Sequence, residues 1–445
     1  MSLPTARSVA ASVLVRVHKD GAFASAALDA EVSRALQLEP RDRALATELV
    51  YGSLRVLPWL EARILRHAPR GIGGLDPRTR AELTLSAYQL FFLARIPSFA
   101  AVNEAVEAVK QARGPRLSNF ANAVLRKLAR EAEAEKGPLL VREAVRASLP
   151  AWLERALARA LGDAEVGAFS AAGVEAPPTG LRVSLGADRD VWLGRLAEAV
   201  PDAKFETGKA SPLAILMRGG GRAEGLPGEG EAWVVQEEGS QVVALALGAR
   251  PGDVVLDACA GRGNKSLLLA EAVCGAGGAL DAADVHPPKL ARLATELARM
   301  KLPLRSVHAV DWSVGVADVP LGYDRALVDA PCSGVGTLRR RPDLVQRREP
   351  DDLGRLSSLQ TAIVLRVASR LRPGGRLVYA VCSVLREEAE DVVERVLAGD
   401  SRLKLRPFDG EAARKLAGEE PTLRLLPHVH GTDGYFLASF QRDDA

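Results

Sequence analysis

From the N-terminus to about residue 140, apolar positions recur at helical spacing. Val102, Ala105, Val106 and Val109 occupy positions i, i+3, i+4 and i+7, the stripe by which a helix buries one face. Similar runs fall at residues 9–17, 44–57, 80–93 and 120–128, with few strand-like alternations between them, so this stretch predicts an all-α domain. Residues 141–230 are mixed. Residues 152–161 and 192–200 are helical in pattern, 181–185 alternate like a strand, and 213–217 form a short apolar run. The stretch 219–230 carries six glycines and one proline and reads as a loop or linker, where we expect a domain boundary.

From about residue 231 the pattern becomes strand, helix, strand. Strands are expected at 253–257, 280–285, 305–310, 325–329, 376–381 and 435–440, with helices at 267–273, 290–300 and 356–371. Pro373-Gly374-Gly375 is expected to stop the last of these helices and turn the chain into the next strand. The alternation predicts a mostly parallel sheet with helices on both faces, which binds ligands at the carboxyl ends of its strands. The expected organisation is therefore an all-α domain over 1–140, a small α/β segment over 141–230 and a Rossmann-like α/β domain over 231–445.

Composition narrows the class. A chain of 445 residues, 47% hydrophobic, is that of a folded protein with more than one core. The net charge of +3 says little about partners. Cys259, Cys274, Cys332 and Cys382 form neither a C-x-x-C pair nor a disulfide framework, so no structural metal is expected. His428 and His430 have no cysteine nearby and read as a polar loop. Arg16 and Lys19 interrupt a helical pattern instead of preceding an apolar run, and no stretch approaches the roughly 20 apolar residues of a membrane span. The expectation is a reducing cytoplasm, no membrane contact and a monomer.

The turn after the first strand of the last region runs Cys259-Ala260-Gly261-Arg262-Gly263-Asn264-Lys265. Small residues let a backbone approach a ligand, and a helix N-terminus follows. Ser266 stands where a dinucleotide fingerprint has its third glycine, and Asn264 where a Walker A loop has the glycine before its lysine. Acids stand at successive strand ends: Asp257, Asp284, Asp311 and Asp329. A carboxylate at the second strand end suits ribose hydroxyls, Asp311 suits an adenine edge, and acids at the mouth suit the sulfonium and amino group of S-adenosylmethionine.

Two of these strands run into cysteines: the fourth into Asp329-Ala330-Pro331-Cys332-Ser333-Gly334, the fifth into Cys382-Ser383. Neighbouring strands of this class would face both thiols into one pocket. A thiolate that adds to carbon 6 of cytosine makes carbon 5 nucleophilic enough to attack a methyl group, whereas nitrogen or oxygen methylation needs no thiol. Asp329 could bond the base at N3 and N4. The chemistry alone leaves open which cysteine attacks. Arg339, Arg340 and Arg341 follow, candidates for phosphate contacts, partly offset by nearby acids. The target base must be single-stranded or flipped out.

These residues resemble the Sun/RsmB-type ribosomal RNA cytosine-C5 methyltransferases through most of the chain. Asp42-Arg43, Leu49-Val50-Tyr51-Gly52, Ala87-Tyr88-Gln89-Leu90, Ala101 through Val106 and Phe120 through Arg126 resemble that family's N-terminal NusB-like RNA-binding domain. Gln236 through Gln241 resembles the entry to its catalytic domain. Asp329 through Gly334 with Arg339-Arg340 and Pro342-Asp343 is the most specific motif, and Cys382 through Leu385 with Glu387, Glu388 and Glu390 resembles the second cysteine motif. The resemblance implies that Cys382 adds to carbon 6, Cys332 assists release, Asp329 supports base and cofactor, and the substrate is 16S ribosomal RNA before or during subunit assembly. Gly261, Arg262 and Asn264 stand where the family has Ala, Pro and Gly; Val381 replaces a Thr, and Arg386 and Ala389 replace a Pro and an Asn. Two other classes compete: an RNA-binding assembly factor that has lost catalysis through the altered loop, and a nucleotide-dependent oxidoreductase on a similar sheet.

Overall fold

The computed structural model describes residues 4–68, 71–135 and 138–443. They fall into two compact units. One comprises Met1–Arg155, Ala164–Ala176 and Leu338–Arg347; the other comprises Ala156–Asp163, Pro177–Thr337 and Arg348–Ala445.

The first unit is helical and is built round helix Pro77–Phe92, whose side chains are buried on almost every side. Asp76 caps it by accepting the Arg78 and Thr79 N–H groups, each at 3.1 Å, and Pro77 opens it with its fixed φ. Helix Pro40–Arg55 can pack close because residue 52 is glycine: a Cβ there would lie 2.1 Å from the Tyr88 hydroxyl oxygen. Tyr88 in turn donates to Glu48. The segment that follows the first cysteine motif belongs to this unit. Its short 3-10 turn Pro342–Gln346 carries Asp343, which accepts the Ala24 N–H at 3.4 Å and Arg347 Nε at 3.0 Å. Arg347 also donates to the Gly21 carbonyl at 2.8 Å, and its guanidinium lies 4.6 Å from the Phe23 ring centre.

The second unit holds two sheets. The smaller consists of β1 (Thr179–Val183), β2 (Ala203–Thr207), β3 (Ala214–Gly219) and β4 (Trp233–Val235), in the order β2-β3-β1-β4 and antiparallel throughout. The glycine-rich stretch 219–230 connects β3 to β4 within this sheet, and its Pro227 carbonyl accepts the indole N–H of the fully buried Trp233 at 2.8 Å. Arg182 of β1 is buried against Glu271 at 2.9 Å, and the same carboxylate accepts the Leu185 N–H, so the sheet is fastened to helix Asn264–Val273.

The larger sheet comprises β5 (Val254–Asp257), β6 (Ala279–Asp284), β7 (Leu304–Ala309), β8 (Tyr323–Asp329), β9 (Leu371–Val381), β10 (Leu403–Leu405), β11 (Thr422–Leu425) and β12 (Tyr435–Arg442). The order is β10-β12-β9-β8-β5-β6-β7, with β11 also on β12. Strands β9, β8, β5, β6 and β7 run parallel; the apolar runs of β9, β8, β5 and β6 are buried on both faces, while β7 is a partly exposed edge. On the β12 side the pairing is antiparallel. The sequence pattern missed β2, β4, β10 and β11: β4 and β10 are only three residues long, β11 alternates over only four, and β2 is a largely solvent-facing edge. The helix before β9 ends at Ala368, earlier than expected. Pro373-Gly374-Gly375 is not its stop signal but a bulge inside β9. Tyr323 pairs with Leu371 and Arg325 with Arg376, so residues 372–375 stand opposite a single residue of β8.

Candidate active site

Parallel pairing brings the carboxyl ends of β5, β6, β8 and β9 to one rim. Asp257 ends β5, Asp284 ends β6, Asp329 ends β8, and Cys382 follows β9 directly. Because β8 and β9 are hydrogen-bonded neighbours, with Asp329 opposite Ala380, the loops beyond them meet. The Cys332 and Cys382 sulfurs are 3.1 Å apart. Neither is in a disulfide, and both are partly exposed.

The same rim carries a cavity of about 200 Å³, lined by Asp329 but by neither Cys332 nor Cys382. Its floor is the loop Cys259 to Lys265, bent by left-handed φ values of 57° at Gly261 and 92° at Gly263. Gly263 caps helix Asn264–Val273, and a Cβ there would come within 3.0 Å of Leu293. Lys265 reaches across to Asp329, Nζ to Oδ2 2.6 Å. Ser266 donates to the buried Asp257 at 2.6 Å, which leaves Asp257 Oδ1 with no hydrogen-bond partner.

The charges follow from burial and neighbours. Burial pushes the Asp257 carboxyl up to about 6, helped by the negative Asp329 and opposed by the Ser266 bond and the Lys265 charge. Burial alone would lower Lys265, but the Asp329 carboxylate outweighs it and holds the ammonium above its ordinary value. The Cys332 thiol is pushed well up, first by its hydrogen bond with Cys382, then by burial, then by the charges of Cys382, Glu388 and Asp329. It therefore carries its proton at neutral pH and can donate it toward Cys382. Cys259 is pushed up by burial and three acids, and is an inert thiol.

Residues 244–441 match the family 16S rRNA methyltransferase RsmB/F, and residues 4–130 match the NusB family. The probable ribosomal RNA small subunit methyltransferase B of Synechocystis sp. is 32% identical over 98% of this chain and 99% of its own. The chain belongs to the RsmB/F family of 16S rRNA methyltransferases. The fold is shared with the crystal structure of PH0851, at TM-score 0.81 and 24% identity over 99% of this chain and 100% of that one. It is also shared with NSun6 from Pyrococcus horikoshii, solved with SFG, at TM-score 0.54 and 19% identity over 67% of this chain and 99% of that one.

Within this RsmB/F site, Cys259, Ala260, Gly261, Arg262, Asn264, Lys265 and Asp329 of the sequence-derived set line the cavity. Gly263, Asp284 and Asp311 do not. Gly263 shapes the loop from behind. Asp284 accepts the Gly261 N–H at 2.9 Å and the His286 N–H at 2.8 Å, so it holds the loop in place. Asp311 is spent on the Ser313 N–H at 2.8 Å and the Ser313 hydroxyl at 2.6 Å, the capping job that strand-end acids often have. Two lining residues were missing from the set. Asp257 was visible only as one of the four strand-end acids, and Ser240 lies in the Gln236–Gln241 motif without a chemical signal of its own.

The three candidate RNA-binding arginines differ. Arg339 is 9% exposed and its carbonyl accepts from Arg55 at 3.2 Å, so its side chain is a packed one rather than an open phosphate contact. Arg340 is half-buried, and Arg341 is exposed, with its guanidinium 5.3 Å from the Phe23 ring centre. Among the described residues no cluster of His, Cys, Asp and Glu is able to hold a metal ion, and no helix is long and apolar enough to cross a membrane.

Proposed function

We propose that this protein transfers a methyl group from S-adenosylmethionine to carbon 5 of a cytosine in 16S ribosomal RNA through a covalent bond between Cys382 and carbon 6. The observation that carries the reading is the pair of sulfurs 3.1 Å apart on the strand-end rim whose Asp329 also lines the loop cavity. Methylation of nitrogen or oxygen has no use for two opposed thiols. The small-subunit methyltransferase names of the relatives point to the substrate, and the fold neighbour solved with SFG, an S-adenosylmethionine analogue, points to the cofactor.

The residues present fit that cofactor. The unpartnered Asp257 Oδ1 suits its amino group, and the free N–H groups at the start of helix Asn264–Val273 suit its carboxylate. When bound, it supplies an electrophilic methyl group. Asp329 is fixed by Lys265 where it would bond the cytosine N4 amino group and share a proton with N3, so that negative charge pushed into the ring is met. Cys382 adds as thiolate to carbon 6, and the pair of electrons displaced from the 5,6 double bond makes carbon 5 the attacking atom. After methylation a base takes the carbon 5 proton, the double bond re-forms, and the carbon–sulfur bond breaks with its electrons returning to Cys382. Cys332 holds its proton beside that sulfur, and its hydrogen bond stabilises the thiolate both before addition and on departure. The NusB-like helical region and the exposed Arg341 would take RNA, with unassembled or partly assembled 16S RNA as partner, in the cytoplasm and as a monomer.

The test is methyl transfer from labelled S-adenosylmethionine to protein-free 16S RNA, with the product nucleosides separated. Label is expected in 5-methylcytidine and absent with Cys382→Ala, which should still fold and bind cofactor. Label on ribose or an exocyclic nitrogen, or normal turnover by Cys382→Ala, would overturn the reading.

A further inference from the structure

Next to the turn that carries Cys332, and outside the cavity lining, lies a carboxylate with no place in the chemistry above. Glu388 belongs to the short 3-10 turn Arg386–Glu388, six residues beyond Cys382, and is fully buried. Its Oε1 accepts the Ser333 N–H at 2.7 Å and Gln360 Nε2 at 3.0 Å, and its Oε2 accepts the Ser333 hydroxyl. Its carbonyl accepts the Tyr379 hydroxyl of β9 at 2.7 Å. Among the described residues no basic side chain bonds this carboxylate.

Those bonds converge on the turn that carries Cys332. Gln360 also donates to the Pro331 carbonyl at 2.9 Å. Arg348 donates to the Ser333 carbonyl at 2.9 Å and to the Cys332 carbonyl at 3.4 Å. On the neighbouring strand end, the Ser383 hydroxyl lies 3.3 Å from that of Ser333, and the Cys382 carbonyl accepts the Gly336 N–H at 3.0 Å. Four carbonyls and one N–H of the Pro331–Ser333 turn and its partner strand end are thus held, and Glu388 bonds the peptide immediately after Cys332.

We propose that Glu388 is the positioning residue of the thiol pair: its carboxylate locks the Cys332 turn against the β9 end so that the two sulfurs stay within bonding reach. This rests on the covalent-thiol reading above. Packing alone does not explain a charged group here. A glutamine has the same shape, and its amide oxygen would still accept from Ser333 with far less desolvation penalty than a buried carboxylate without a cation. What glutamine lacks is the negative charge, and that charge faces the Cys332 thiol. The charged and titratable groups around Cys332 are Tyr379 from β9, Cys382 directly after it, Asp329 from β8 and Glu388 from the 3-10 turn, with Lys265 bonded to Asp329 and Arg348 on the turn's carbonyls. Glu388 and Asp329 both favour the proton-bearing form of Cys332, so the Cys332 proton stays available as a hydrogen bond to the Cys382 sulfur.

The experiment compares wild type with Glu388→Gln. Thermal stability of the variant should equal or exceed wild type. kcat for methyl transfer should fall about tenfold, because a shift of about one pKa unit at Cys332 is a tenfold weaker hold on the proton it offers to Cys382, with both KM values within about twofold. In a Cys382→Ala background, mapped alkylation of Cys332 by iodoacetamide should shift to lower pH by about one unit on Glu388→Gln. Glu388→Asp, which keeps the charge but retracts it, should lose turnover without that pH shift. Should Glu388→Gln fail to fold, Ser333→Ala removes one bond of the clamp and should lower kcat in the same direction. Unchanged kcat in folded Glu388→Gln, or a Cys332 alkylation profile that does not move, overturns the proposal. The alkylation readout does not depend on which RNA atom is methylated, so its failure is separable from failure of the carbon 5 reading, which the Cys382→Ala turnover assay decides.

Discussion

Asp257 offers a test in which stability and function should move in opposite directions. Its carboxyl is buried, its Oδ1 has no partner, and burial lifts its pKa from 3.8 to about 6. The unfolded chain releases this proton near the ordinary value while the folded chain keeps it, so stability is fully present below that value and declines as pH rises to about 6. The shift of about 2 units, at about 1.4 kcal/mol each, amounts to roughly 3 kcal/mol lost above neutrality. Asp257→Asn removes the ionisation and keeps an oxygen for Ser266. The variant should be stabler than wild type by about 1.6 kcal/mol at pH 5 and about 3 kcal/mol at pH 8. At about 2 °C per kcal/mol for a unit of this size, the gain at the higher pH is about 6 °C in Tm. The side-chain amide then presents a donor to the cavity in place of an acceptor, so calorimetric affinity for S-adenosylmethionine should fall at least tenfold, about 1.4 kcal/mol. Urea or thermal unfolding at both pH values, followed by titration with cofactor, measures both halves. A stability difference that is the same at both pH values would refute the burial argument. Unchanged cofactor affinity would refute the placement of Asp257 at the amino end of the ligand.

Glu271→Ala leaves Arg182, which is fully buried, without its counter-charge, and should cost about 3–5 kcal/mol by urea unfolding; a change below about 1 kcal/mol would mean the small sheet is not fastened through this pair. Arg341→Ala, at the exposed member of the arginine run, should weaken RNA binding equally across sequences and lower the slope of log affinity against log salt by about 1; an unchanged slope excludes a phosphate contact there.

The sequence made the large architecture legible because it rests on period and order. Buried parallel strands read as apolar runs, and the acid or cysteine that follows each one falls on the same rim by topology alone. That is why Asp257, Asp329, Cys332 and Cys382 could be placed together before any coordinates. What the sequence does not carry is the direction in which a rim side chain is drawn. Asp284 ends its strand as Asp257 and Asp329 end theirs, and Asp311 follows two residues after β7, yet each is taken up by N–H groups within its own turn or the neighbouring loop. The competition between a local N–H and a ligand is decided by distances of about one bond length, below what spacing can report. Glu388 escaped for a related reason. Glu387, Glu388 and Glu390 look alike in a charged stretch, but Glu387 pairs with Arg159 and Glu390 with Arg424, while Glu388 alone turns inward.

The altered cofactor loop can be weighed on the same physical terms. Replacing the family's proline and glycine with Arg262 and Asn264 matters only if those positions need a special backbone or an uncharged face. The left-handed positions of the loop are Gly261 and Gly263, and both are glycine here. Arg262 and Asn264 are exposed, so their side chains can extend into solvent while their backbones line the cavity. The groups that set the charge of the site are Lys265, Asp257 and Asp329, and all three are in place, joined by short bonds to one another or to Ser266. A protein that had abandoned catalysis for RNA binding alone would have no use for a lysine held across the cavity by an acid, nor for two free thiols 3.1 Å apart next to a turn held by a buried carboxylate. Each of these arrangements carries a desolvation penalty that an apolar filling would avoid, so their joint presence favours an enzyme over an inactive scaffold.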